Sequence, residues 1–281
     1  MINQGTIDSR PMFVDMYDYI HIDEKWFYMS KVSEKYYLHP QEQEPLRTCK
    51  SKRFINKIMV MAAVGRPRIT SSNDEFSGKI GIFPFIYSEP AKRKSKNRDA
   101  GVLETKPIAN ITKDIIRKCL IEQVLPAIRA KWPEGTSRTI YIQQDNAKPH
   151  IDVADKDFIE AATKDGFDIR LCFQPPNSPD LNVLDLGFFR AIQTLQHQEA
   201  PKTVDELVFA VHNAFDKLPS KELNFIFLTL QPCMIEVMKA FGGFNYKIPH
   251  LDKERMSREG TLPISLECDP NILSAAIEFL H

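Results

Sequence analysis

No apolar run in the 281-residue sequence approaches the roughly 20 residues that a bilayer-spanning helix needs, which excludes an integral membrane protein of the helical kind. The polar start, Met1 to Arg10, lacks the apolar core of a secretory signal. Net charge is also missing: Lys+Arg and Asp+Glu both number 37. A protein that holds nucleic acid by bulk charge is usually basic, so any such contact must come from local patches or from a part outside this chain. The five cysteines, Cys49, Cys119, Cys172, Cys233 and Cys268, are odd in number and never fall at a zinc-like short spacing. They read as reduced, mostly buried thiols of an intracellular protein. There is no internal repeat. With 43% hydrophobic and 26% charged residues, the chain is globular and long enough for a substantial core.

What is present is organised around Tyr141 to His150. Thr139, Tyr141 and Gln143 alternate with Ile140 and Ile142, the period of a strand, and the pattern fails at Asp145. A carboxylate at the carboxyl end of a strand stands where open α/β sheets place their sites, although a turn cap is the plainer reading of one such Asp. Pro149 suits the first turn of a helix. An earlier strand runs from Asp18 to Met29, with Ile20 and Ile22 on one side and Tyr19, His21 and Asp23 on the other. In it, Glu24 is expected at the surface and Trp26 in packing.

Between these strands lie a long polar segment, 30–54, with basic Lys50, Lys52 and Arg53, and an apolar strand from Lys57 to Val64 suited to cover on both faces. A third strand follows, Lys79 to Tyr87, in which Pro84 requires an edge position or a bulge. Lys92, Arg93, Lys94, Lys96 and Arg98 place five basic residues in eight. They read first as a solvated loop, with a DNA-backbone contact or a nuclear-import signal as alternatives.

Helical spacing begins after Thr112, a candidate N-cap, and ends before Trp132-Pro133. A second helix is expected over Asp152 to Lys164, then a strand, Asp168 to Phe173. Ser178 and Pro179 are placed at the start of a helix whose stripe is Leu181, Leu184, Phe188, Ile192 and Leu195. Asp185 lies beside that stripe, where a carboxylate is costly unless paired or metal-bound; Asp180, in the first turn, suits the helix dipole instead. Thr203 and Glu206 form a capping box. One more helix, from about Ser220, is expected to break near Pro232. Residues 1–14 read as a frayed leader, and 246–281 as a loosely held tail.

The order of three strands, helix, strand, helix, strand and then helices is that of an α/β, ribonuclease-H-like fold: a mixed five-stranded sheet flanked by helices. There the first and fourth strands are neighbours, so Asp23 and Asp145 approach each other and Asp185 faces them. Three clustered carboxylates repel. Magnesium, a hard cation that takes oxygen ligands, resolves this, and two such ions about 4 Å apart suit phosphodiester cleavage and transfer.

The segments His21-Ile22-Asp23-Glu24-Lys25-Trp26, Gln144-Asp145-Asn146-Ala147-Lys148-Pro149-His150 and Ser178-Pro179-Asp180-Leu181-Asn182-Val183-Leu184-Asp185 resemble the three catalytic blocks of mariner-like transposases. The 39 residues between Asp145 and Asp185, with Asp as the third acid, resemble the plant branch of that family. The likeness runs from about residue 15 to about 265 and includes Tyr246-Lys247-Ile248-Pro249-His250.

It implies a catalytic domain over 15–245 that lacks the family's N-terminal helix-turn-helix region, since about 15 residues precede the first strand. It further implies an Asp-Asp-Asp endonuclease and strand transferase acting on transposon ends and target DNA. Asp23, Asp145 and Asp185 would ligate two Mg2+ or Mn2+ ions, with no small-molecule cofactor. Asn146 and His150 would line the site, His150 either as general base or, the preferred reading, as a hydrogen-bonding group at a helix start. A homodimer joined through the 30–54 loop and a nuclear location are implied as well. The alternatives are a non-catalytic truncated or domesticated remnant, acting only in DNA or protein association, and a small-molecule hydrolase with paired carboxylates.

Overall fold

The computed structural model describes residues 1–7, 10–29, 41, 55–70, 73–94, 98–243 and 245–280; Cys49, Lys50, Lys52, Arg53, Lys96 and nearly all of the 30–54 loop lie outside them. In chain order the strands and helices are β1 (Tyr19–Tyr28), β2 (Lys57–Gly65), β3 (Arg68–Ile69), β4 (Glu75–Phe76), β5 (Lys79–Pro84), β6 (Ile86–Pro90), β7 (Leu103–Pro107), α1 (Lys113–Cys119), α2 (Leu125–Lys131), β8 (Thr139–Gln144), α3 (Lys156–Ala162), β9 (Asp168–Phe173), α4 (Phe189–Gln196), α5 (Val204–Lys217), α6 (Ser220–Lys239), α7 (Lys253–Arg258) and α8 (Pro270–Leu280).

The central sheet has the order β5-β2-β1-β8-β9. Antiparallel pairing joins β1 to β2 and β2 to β5; parallel pairing joins β1 to β8 and β8 to β9. This is the mixed ribonuclease-H-like sheet, with the first and fourth of its strands side by side. Pro84 ends the edge strand β5, where its missing donor costs nothing.

Alternation sorts the side chains into two layers. Ile20, Ile22, Met61 and Ala63 pack with Ile116, Leu120, Leu125, Ile128 and Phe158 on one face of the sheet. Phe27, Ile58, Val60 and Ala62 pack with Leu184, Phe188, Ile192, Val211, Phe215 and Phe227 on the other. The apolar run of β2 thus serves both layers, and each fully buried Ile, Val, Met or Phe side chain contributes roughly 1.5–3 kcal/mol.

Several expectations are corrected. The third strand is split: beyond Pro84 the chain makes a separate β6–β7 hairpin. Pro149 opens no helix. The chain turns there instead, with the His150 amide donating to Ala147 O at 2.9 Å, and α3 waits for Asp155, whose carboxylate accepts from the Phe158 amide. The segment after Ser178 is not one helix. A 3-10 turn (Pro179–Leu181) stops at Asn182, whose φ −111°, ψ 121° are extended, and a π-helical turn (Leu184–Phe188) then leads into α4. The Asn182 side chain takes the Leu184 amide at 3.0 Å, which competes with continuous helix. Pro232 lies inside an unbroken α6, held by its buried neighbours Leu230, Gln231 and Cys233.

The two ends are not loose. Phe13 N donates to Leu266 O and Cys268 N to Pro11 O, and Phe13, Cys268 and Leu273 form a cluster with Met234 and Met238 of α6. Arg66, buried, ties them further: Nη1 donates to Asp15 O and Ile264 O, both at 2.7 Å, and Nε to Asn224.

Candidate active site

The parallel register of β1 and β8 sets Tyr19, Ile20 and His21 against Tyr141, Ile142 and Gln143. Two residues further along each chain stand Asp23 and Asp145, at the same end of the sheet and on the face of His21 and Gln143. That face is covered by the layer carrying the Asp185 turn. Gln143 Nε2 donates to Leu181 O at 3.0 Å, and the buried His21 ring meets Phe227 edge-on, 5.4 Å between centroids. Burial, opposed by the neighbouring Asn182 amide, pushes His21 down to about 3, so it is a neutral core group.

Asp23 Oδ1 accepts from the Glu24 amide at 2.7 Å and Oδ2 from Asn182 Nδ2 at 3.0 Å. Burial, then the charges of Asp185 and Glu24, push its pKa up to about 8; Asp145 adds to the same effect and the Glu24 amide opposes it. Asp145 Oδ1 accepts from the Ala147 amide at 2.8 Å and lies 2.7 Å from His150 Nδ1. Asp185, exposed on the first turn after Asn182, has Lys25 Nζ 3.7 Å from its Oδ1. Asp145, Asn146, Gln174 and Asp185 line one cavity of about 330 Å³, and Asn146 Nδ2 donates to Gln174 O at 2.9 Å.

His150 joins two strands. Its side chain is 2% exposed. Nδ1 lies 3.0 Å from Asp145 O, and Nε2 lies 3.0 Å and 3.3 Å from the two Glu24 oxygens. With an acceptor at each nitrogen, both donate, and the ring is an imidazolium. Burial works against that charge, but the Glu24 hydrogen bond and charge, with Asp145, prevail and raise its pKa to about 9. Contrary to expectation, Glu24 is not at the surface; its side chain is 12% exposed and committed to His150. The preferred reading of His150 as a hydrogen-bonding group describes its contacts, without a helix start.

Among the described residues, no group of three or more His, Cys, Asp or Glu side chains stands close enough to hold a metal ion. Asp145 and Asp185 line one cavity, and each of the three acids has its own protein partner: Asn182 for Asp23, His150 for Asp145, Lys25 for Asp185. The donor chemistry, all carboxylate and carbonyl oxygen, fits a hard divalent cation. A cation beside Asp23 would reverse the crowding that raises its pKa, and would compete with Lys25 and His150 for the other two acids.

Among the described residues of the basic run, none lines this cavity. Lys94 pairs with Asp99 at 2.8 Å and Arg98 with Glu104; Lys92 and Arg93 are exposed. Trp26 is covered by Lys57, whose Nζ sits 4.0 Å over the ring centroid. Asn182 and Glu24 are the site-forming residues that sequence reasoning missed; the Asn182 amide left no periodic signal, and Glu24 faces the side of β1 opposite to Asp23.

No protein-family model matches the sequence, and no curated protein matches it. Solved structures do. The chain is similar to the Mos1 transposase in a paired-end complex with the left transposon end, with 18% identity over 82% of this chain and 57% of that chain, at a TM-score of 0.59. The mariner Mos1 paired-end complex with Mg matches at 20% identity, 83% of this chain and 57% of that one, TM-score 0.56. The Mos1 catalytic domain with raltegravir and Mn matches at 15% identity, 83% and 86% coverage, TM-score 0.50. The chain has the fold of the mariner transposase Mos1. It spans 57% of the Mos1 chain in the first of these complexes. Among the described residues, no helix is long and apolar enough to cross a membrane.

Proposed function

We propose that this chain is the catalytic domain of a mariner-like transposase of the plant-type branch: a metal-dependent DNA endonuclease and strand transferase that cleaves phosphodiester bonds at transposon ends. The observation that carries the reading is the parallel β1–β8 register. It brings Asp23 and Asp145 to one end of the sheet, where Asp185 and Asp145 both act on the Asp23 carboxyl.

In this reading Asp23, Asp145 and Asp185 hold two Mg2+ or Mn2+ ions. Such ions, when bound, activate an attacking oxygen and stabilise the leaving one. The chain's own residues hold the acids in place. His150 bridges Asp145 to Glu24 and so ties the end of β8 to β1, while Asn146, fixed on Gln174 O, closes one wall of the cavity. The functional unit is residues 15–245, with the paired ends folded against it. Mos1 chains that it resembles include one in a paired-end complex with the left transposon end and others in structures with Mg or Mn. DNA as substrate, two ions, a homodimer and a nuclear location are carried over to this chain as part of the proposal.

A second reading, a remnant that uses the fold for association without catalysis, is favoured by one observation: the acids rest on protein partners and are not drawn together. A plasmid-nicking assay with Mg2+ or Mn2+ separates the two. Nicking by the wild-type chain that is lost in Asp145→Ala supports the proposed site. Nicking that survives the substitution rules the site out, and no nicking by either protein favours the remnant.

A further inference from the structure

The three acids come from distant parts of the chain, and one buried side chain links the start of the Asp185 turn directly to Asp23 of β1. Asn182 is 1% exposed and uses both ends of its amide: Nδ2 donates to Asp23 Oδ2 at 3.0 Å, and Oδ1 accepts the Leu184 amide at 3.0 Å. The second bond starts the turn on which Asp185 is carried. The same junction is held from the neighbouring strand by Gln143, whose amide donates to Leu181 O at 3.0 Å. The Asn182 backbone is extended between two helical turns, so its side chain, not helix periodicity, determines where Asp185 emerges.

We propose that Asn182 is a positioning residue that locks the Asp23 carboxylate and the Asp185 turn into one unit, so that a divalent cation meets both acids in a fixed relation. This rests on the reading of Asp23 and Asp185 as metal ligands. The chemistry is that of an outer partner that orients a ligand: it donates to one oxygen of Asp23 and leaves that carboxylate's remaining lone pairs to a cation. Partners of this kind influence metal affinity roughly 10–100-fold. A purely structural Asn182 would matter only through the Leu184 cap.

The two bonds separate in Asn182→Ser. A serine hydroxyl is a good acceptor for a helix-start amide, but its shorter side chain does not reach Asp23. Asn182→Ala removes both bonds. The experiment measures Mn2+ binding to the whole chain through the electron paramagnetic resonance signal of free Mn2+, alongside the thermal midpoint, for wild type, Asn182→Ser, Asn182→Ala and Asp23→Asn.

The expected result is that Asp23→Asn loses Mn2+ binding, and that Asn182→Ser melts with the wild type yet binds Mn2+ about tenfold more weakly. Wild-type affinity in Asn182→Ser, with binding lost in Asp23→Asn, overturns the positioning role and leaves the site standing. A fall in affinity matched by a fall in the Asn182→Ser midpoint overturns it too, since the role is then structural. Undiminished binding in Asp23→Asn, or none in the wild type, overturns the site and the proposal with it.

Discussion

In the metal-free protein, Asp23→Asn is expected to stabilise the fold at alkaline pH. The Asp23 carboxyl titrates at about 8 in the folded chain, raised from 3.8, because burial and the charges of Asp185 and Glu24 all penalise its ionised form. A carboxyl whose folded pKa lies above its unfolded value binds its proton more tightly when folded. Its contribution therefore favours the fold below pH 3.8 and is lost as pH rises toward 8. Each unit of difference corresponds to about 1.4 kcal/mol, so the full loss has an upper bound of about 6 kcal/mol, reduced by any relaxation of the site. The asparagine keeps one acceptor oxygen and cannot ionise, as the protonated acid does not, so it abolishes this loss without removing the side chain. Urea unfolding in EDTA at pH 5, 7 and 9 provides the test. Wild-type stability should fall with pH relative to Asp23→Asn, and the gap should widen from pH 5 to pH 9. A gap that stays constant, or that narrows with pH, refutes the argument that Asp23 is a crowded, buried carboxyl.

Three further outcomes follow from other parts of the structure. His150→Ala leaves Glu24 buried without its partner, which should cost about 3–5 kcal/mol at pH 7. The cost should shrink as pH rises through about 9, where the wild-type imidazolium itself is lost; urea unfolding reads both. Phe188→Ala empties a fully buried position that meets Phe189 and Phe215 edge-on and should lower stability by about 3–5 kcal/mol in the same assay. Arg98→Ala should leave the salt dependence of DNA binding unchanged in a fluorescence-anisotropy titration, because Arg98 is already paired with Glu104; loss of a true phosphate contact would reduce the slope by about 0.9.

The sheet was legible because its strands are simple in period. Ile20 and Ile22 against His21 and Asp23, and Ile140 and Ile142 against Tyr141 and Gln143, announce both the strands and their two faces, and the apolar run of β2 announces cover on both. The arrival of Asp23 and Asp145 at one end of the sheet follows from the periods of β1 and β8 and their parallel register; Asp185 was named only through the resemblance of the blocks, and it lines a cavity with Asp145. What was hidden is nonlocal or lies in side-chain hydrogen bonding. The Asn182 amide breaks a stripe that reads as continuous helix. Glu24 occupies the alternate face of β1, a position that reads as solvent until His150 arrives from 126 residues away. The ends look weakly patterned because their order comes from each other, through Met12 and Glu267 and the Arg66 bonds to Asp15 and Ile264. No window of sequence contains both partners of such a contact.

The central claim is that three acids, separated by up to 162 positions, close on divalent ions at the end of β1 and β8. Anomalous diffraction from crystals grown with Mn2+ addresses it most directly. The account predicts two peaks, each bounded by carboxylate oxygens from Asp23, Asp145 and Asp185, with Lys25 displaced from Asp185. Density that lies elsewhere, or a cavity whose acids stay on Asn182, His150 and Lys25 at saturating Mn2+, would contradict it.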